Sequence, residues 1–144
     1  MVRAGTLPLG DVVELCFSGT KTKEQIECLI TQCGGINGLL GTTSLNEIEQ
    51  RIKDGDEYAK LVLEAMSYQV AKCIGEMFAV LKGEVDAILI TGDLAHSNFI
   101  VKNILDHVEK FAPTYIYAGD NEIKAMAANA VRVIKGEMAV KKYQ

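Results

Sequence analysis

The sequence predicts an α/β chain, mostly helical, with a small sheet of two parallel strands. Three observations carry this expectation. The last third alternates short apolar runs at 85–90 and 114–117 with helix-period segments at 97–110 and 121–134, a βαβα order. A right-handed crossover makes the two strands parallel neighbours. A long apolar stripe and a set of capping signals then fill the first two thirds with helices.

The elements follow in order. Gly10 or Asp11 is expected to cap a short helix containing Val12, Val13, Leu15 and Cys16, stopped at Ser18-Gly19. Thr22 followed by Gln25 has the pattern of a capping box and opens a second helix to about Thr31. Residues 34–41 are rich in glycine and are expected to form an irregular turn region. Ser44 with Glu47 repeats the capping pattern and starts a helix to about Lys53. Behind Asp54-Gly55-Asp56, apolar residues recur every three or four positions: Leu61, Val62, Ala65, Met66, Val70, Cys73, Ile74, Met77, Phe78 and Leu81. That stripe predicts one long helix ended by Gly83, with Met66, Met77 and Phe78 read as core rather than as a ligand groove. The segment Asp86-Ala-Ile-Leu-Ile-Thr-Gly-Asp-Leu-Ala-His-Ser97 then reads as strand, glycine turn and helix start. A helix N-terminus presents unpaired N–H groups and partial positive charge, which suits a phosphate.

Composition bounds the class. At 144 residues and 49% hydrophobic content, one domain with a core of its own is expected. A net charge of −4 argues against nucleic acid or an anionic membrane as the main partner. The apolar-rich stretch 58–81 is interrupted by Lys60, Glu64, Lys72 and Glu76, so no membrane span is expected. No charged-then-apolar leader follows Met1, and a cytoplasmic location is expected. Cys16, Cys28, Cys33 and Cys73 contain no C-x-x-C pair, and reduced thiols are expected of them rather than a metal or redox motif.

A set of short stretches resembles the C-terminal part of butyrate kinases. These are Arg3-Ala-Gly-Thr-Leu-Pro8, Leu15-Cys-Phe-Ser-Gly19, Gly34-Gly35 with Leu40-Gly-Thr42, Gly55-Asp-Glu57 with Ala65-Met-Ser-Tyr-Gln-Val-Ala-Lys72, Leu81-Lys-Gly-Glu-Val-Asp-Ala-Ile88, Val108 to Pro113, Tyr117-Ala-Gly-Asp-Asn-Glu122 and Ala130-Val-Arg-Val-Ile-Lys-Gly-Glu137. The resemblance runs nearly end to end. It implies a partial ribonuclease-H-like lobe, as in the actin-like ATPases, together with ATP, Mg2+ and a short-chain carboxylate such as butyrate as reactants. It also implies that the first lobe and the opening strands of the second are missing, so that the chain is one C-terminal fragment.

The resemblance assigns roles residue by residue. Arg3 matches the arginine set against the transferring phosphoryl group, although an isolated terminal arginine also simply frays. Gly92 and the loop through Asp93, Leu94, Ala95 and Ser97 match the turn packed on the nucleotide phosphates. Glu122 matches a glutamate linked to magnesium; a first-turn acid is equally explained by the helix dipole. Two departures stand out. Asp93 replaces a usual glycine, and two readings of it remain: a carboxylate opposing phosphate, or a cap for the next helix. Ser44 and Asn46 replace a charged Asp-x-Arg pair of the adenosine pocket and retain only hydrogen-bonding capacity. His96 stands where tyrosine is common and reads as a surface residue. Two function classes follow: the ATP-side portion of a carboxylate kinase, inactive alone, or a non-catalytic relative that works by association. Apolar helix surface and an unpaired sheet edge lead to the expectation of a homo-oligomer.

Overall fold

The structure is a computed structural model that describes residues 1–119 and 122–140, the side chain of Glu122 excepted. The chain divides into two compact units, Met1–Glu76 and Met77–Gln144, taken separately below.

The first unit is helical. α1 (Leu9–Phe17) starts earlier than Gly10 or Asp11 would allow as caps. Pro8 takes the cap position without a side-chain bond, and its carbonyl accepts the Val12 N–H at 3.2 Å. Proline lacks an N–H but keeps its acceptor, so Asp11 falls inside the first turn, where the dipole favours it. α2 (Lys23–Thr31) has the expected box: Thr22 Oγ1 accepts from Gln25 N–H and Gln25 Oε1 accepts from Thr22 N–H.

Residues 34–41 are not an irregular turn. They form α3 (Gly35–Leu40), ended by Gly41 at φ 72°. Ile36 and Leu40, one turn apart, are both buried. Burying that pair outweighs the roughly 1 kcal/mol that each interior glycine costs a helix.

α4 (Leu45–Lys53) is capped by Ser44, whose Oγ accepts the Glu47 N–H. Glu47 does not complete a reciprocal box; its carboxylate accepts from Thr42 Oγ1 at 2.8 Å instead. α5 (Glu57–Val80) opens under Asp56, whose Oδ1 accepts the Ala59 N–H at 2.9 Å. The expected stripe is rotated. The most buried positions are Ala59, Val62, Leu63, Ser67 and Ala71, whereas Leu61, Val70 and Met77 are exposed. Small residues at 59, 67 and 71 permit close approach on that face, which a search for large side chains overlooks. Ser67 is tolerated there because its Oγ donates to Leu63 O at 2.9 Å.

In the second unit α5 ends in a Schellman turn. Gly83 N–H bonds Phe78 O, Lys82 N–H bonds Ala79 O, and Lys82 itself has φ 56°. Val85 is still held in that turn by its bond to Gly83 O. The first strand therefore starts later than position 85: β1 is Ile88–Gly92, beginning where Ile88 N–H bonds Pro113 O. Phe78 stacks on Phe111 with ring centroids 5.0 Å apart.

After a 3-10 turn at Asp93–His96 come α6 (Asn98–Val108), β2 (Thr114–Ala118) and α7 (Glu122–Ile134). β1 and β2 pair in parallel from Ile88↔Thr114 to Gly92↔Ala118, as the βαβ order implied. The core of this unit is Ile88, Ala95, Ile100, Val101, Ile104, Val108 and Ala112. Among the described residues no helix is long and apolar enough to cross a membrane.

Candidate functional site

The residues singled out by sequence fall in both units. In the first, Arg3 lies on a segment clamped by backbone bonds on either side: Ala4 N–H to Ile30 O at 2.9 Å, Gly34 N–H to Val2 O at 2.9 Å, and Asn37 N–H to Met1 O at 3.1 Å. The Gly34-Gly35 pair is what permits this approach. A Cβ at Gly34 would collide with Leu29 O, and one at Gly35, which sits at φ +57°, would meet Arg3 O at 2.5 Å. Arg3 is exposed and is not a frayed terminus: its neighbours' amides and carbonyls are engaged.

Beside it is a pocket of about 330 Å³ whose walls include Arg3, Ile36, Leu39, Val62, Met66 and Gln69. Met66, read as core, is therefore a wall of this pocket. Ile36 has no signal of its own in the sequence beyond the glycine pair before it, whereas Gln69 lies within the 65–72 stretch that carries the resemblance.

Ser44 and Asn46 do not line that pocket. Ser44 is engaged as the α4 cap, and Asn46 is exposed in the first turn of the same helix.

In the second unit the expected phosphate loop lies at the carboxyl ends of both strands, the position at which parallel α/β sheets hold ligands. Gly92 ends β1 at φ 89° and ψ 179°, a conformation open to glycine alone, and its carbonyl accepts the Gly119 N–H at 3.2 Å. No atom lies within 4 Å of where its Cβ would stand. The turn therefore leaves open space on that side of its backbone.

Charge is less favourable. Asp93 is exposed in the first turn after Gly92, and the cap of the following α-helix is Ser97, not Asp93. Ser97 is buried, and its Oγ accepts the Ile100 N–H at 3.1 Å. Leu94 is half-buried and Ala95 buried, so these two contribute backbone and packing rather than exposed side chains. His96 is exposed, as expected. Glu122 begins α7 by its backbone, a few residues past the end of β2, and its side chain lies outside the described residues.

The thiol expectation needs correction. Cys28 and Cys33 form a disulfide, with Cα atoms 5.5 Å apart, while Cys16 and Cys73 are free and exposed. The turn at the end of α2 brings the pair together, because Cys28 O accepts both Gln32 N–H and Cys33 N–H. A five-residue separation carries no motif; the pairing depends on the turn that joins the two positions.

Comparison with known proteins supplies the context. The model of the Acetokinase family matches residues 2–140. A probable butyrate kinase of Bacteroides thetaiotaomicron is 41% identical over 142 residues, covering 99% of this chain and 40% of that protein. Probable butyrate kinase 2 of Caldanaerobacter subterraneus subsp. tengcongensis is 45% identical over 141 residues, again 40% of its length. The chain thus spans about 40% of the length of the curated relatives it matches. Among solved structures, the acetate kinase of Porphyromonas gingivalis superposes with a TM-score of 0.77 at 20% identity, over 92% of this chain and 40% of that one. The propionate kinase of Francisella tularensis subsp. tularensis gives 0.73 at 19%, over 85% and 37%. These likenesses show the fold, a partial lobe of the actin-like ATPase type.

Proposed function

The chain belongs to the acetokinase family, and from that premise we propose that it is the ATP-side portion of a butyrate-type carboxylate kinase. The reaction is in-line attack of a carboxylate oxygen on the γ-phosphoryl group of ATP, giving an acyl phosphate and ADP. The observation that carries this reading is the turn at Gly92, open and glycine-lined at the carboxyl ends of two parallel strands.

Each residue has a physical task in this scheme. The Gly92 turn lets backbone approach the phosphates, with Asp93, Leu94, Ala95 and Ser97 shaping the loop. Arg3, fixed through its flanking amides, offsets negative charge on the transferring group. Glu122 is the residue that would hold Mg2+, which supplies charge neutralisation across the phosphates when bound. Ser44 and Asn46 have the hydrogen-bonding groups that the adenosine side of this scheme calls for.

Because transfer is mostly positioning, and the opposite wall of the cleft is not among these residues, the chain alone is expected to be inactive. The same reading puts it in the cytoplasm with its ATP supply. A second reading, a non-catalytic relative kept for association, is favoured by one feature: the exposed Asp93 carboxylate beside Gly92. The test is acyl phosphate formation from ATP and butyrate, trapped as hydroxamate. We expect a blank-level rate from the chain alone, and activity in the full-length kinase carrying these residues that Arg3→Ala reduces at least a hundredfold. A full-length protein with no turnover would favour the non-catalytic reading.

A further inference from the structure

We propose that the Cys28–Cys33 pair is a thiol–disulfide modification site that controls the order of the segment carrying Arg3. The pair closes the turn at the end of α2, and the Arg3 segment is bonded to that turn. Ile30 O, which accepts from Ala4 N–H, lies inside the loop closed by the disulfide. Gly34 N–H, which donates to Val2 O, follows Cys33 directly. Arg3 is therefore flanked on both sides by bonds to a stretch whose span the disulfide limits.

The next two residues, Gly34 and Gly35, have the largest backbone freedom of any residue type, so a restraint immediately before them has the most effect. Both cysteines are half-buried, accessible to a small reagent yet within the packed turn. The closed loop is short, so the entropic effect is local rather than global.

The chemistry is a two-electron exchange with a low-molecular-weight disulfide. One cysteine thiolate attacks the reagent, forming a mixed disulfide and releasing one thiol. The second cysteine thiolate attacks that mixed disulfide and expels the other thiol. Two protein S–H groups lose two protons and two electrons, and one reagent disulfide becomes two thiols. A small dithiol runs the same exchange backwards.

The consequence for phosphoryl transfer rests on the role proposed for Arg3; the ordering of the segment does not. The test is amide hydrogen exchange on the chain, oxidised with glutathione disulfide or reduced with dithiothreitol. The oxidised chain should be lighter by about 2 Da, the two hydrogens lost, in the peptide holding both cysteines. On reduction the amides of Ala4 and Gly34 should exchange at least about fivefold faster, whereas those of Ile104 and Val108 should not change. Cys16→Ser/Cys73→Ser should keep the response, and Cys28→Ser/Cys33→Ser, with folding checked by circular dichroism, should exchange like the reduced chain in either reagent. No bond between Cys28 and Cys33 under oxidant, or equal exchange of Ala4 and Gly34 in the two states, overturns the proposal. Arg3→Ala leaving full-length turnover unchanged would overturn the role of Arg3 alone and leave the exchange contrast standing.

Discussion

Arg51 holds Asp56 through two contacts to one carboxylate oxygen, Nη2 at 2.7 Å and Nε at 2.9 Å from Oδ2. The other oxygen, Oδ1, is left to cap α5 at Ala59. Arg51 Nη1 also donates to Leu40 O at 3.0 Å, so one guanidinium joins the end of α3, the body of α4 and the start of α5. The Ala59 N–H, and next the Arg51 guanidinium, hold the Asp56 carboxyl below its ordinary range. A carboxylate lowered in the folded state contributes stability that is complete above its unfolded value, near 3.8, and is lost as pH falls through the lower folded value. Asp56→Asn keeps an oxygen for the cap and removes the charge. We expect this variant to melt lower at pH 7 and the gap to close as pH falls below about 4. Melting curves across pH 2–7, read beside Asp56→Ala, check this; a gap independent of pH would assign the effect to the cap alone.

The close approach of Gly35 to Arg3 yields a second expectation. Gly35→Ala puts a Cβ 2.5 Å from Arg3 O in a left-handed backbone conformation. The conformation alone costs about 1–2 kcal/mol in an L residue. The clash can be relieved only by moving the Arg3 segment. Thermal unfolding should drop, and the amide of Ala4 should lose exchange protection beyond what the stability loss explains. An alanine variant with wild-type melting would show that the segment is not held where Gly35 places it.

Elements with a strong local signal were legible in the sequence. Thr22 and Ser44 each cap a helix because their hydroxyls reach an amide three residues on, a relation fixed by spacing. The βαβ order likewise implied the parallel pair. Features decided by tertiary contact were not legible. α3 exists because Ile36 and Leu40 are buried, against the local preference of its glycines. The buried face of α5 turned on the small residues Ala59, Ser67 and Ala71, which hydrophobicity undervalues. At the site, the residue types at 3 and 92 were readable, but the backbone clamp on the Arg3 segment and the Cys28–Cys33 bond depend on how chain segments meet.

The loop after β1 separates a structural serine from an electrostatic aspartate. Ser97→Ala removes the acceptor of the Ile100 amide at a buried position and should cost about 1 kcal/mol of stability. Asp93 is exposed and caps nothing on α6, so Asp93→Asn should change stability by no more than about 0.5 kcal/mol. Like unit charges about 4 Å apart repel by roughly 1 kcal/mol at water-like screening, about fivefold in affinity. Titration of ATP into the full-length kinase should therefore tighten by about that factor in the asparagine variant. Affinity that stays put would mean that Asp93 faces away from the phosphates.

Association is the last expectation, and it follows from surface that nothing among the described residues covers. Leu61 and Ala65, one turn apart on α5, are both exposed, Leu61 at 60%. β1 is bonded to β2 on one side, and Leu89 on it is 62% exposed. Apolar side chains beside an open strand edge favour pairing with another chain. Helix burial is the larger contribution, since two apolar faces remove more area from water than one short strand edge. We therefore expect a homodimer or larger assembly held chiefly through α5. Sedimentation at micromolar concentration should give at least twice the chain mass, and Leu61→Asp, an exposed change with little effect on the fold, should weaken association about tenfold or more. A monomer mass for the unmodified chain at that concentration would refute the expectation; a dimer indifferent to Leu61→Asp would move the contact from this face to the β1 edge.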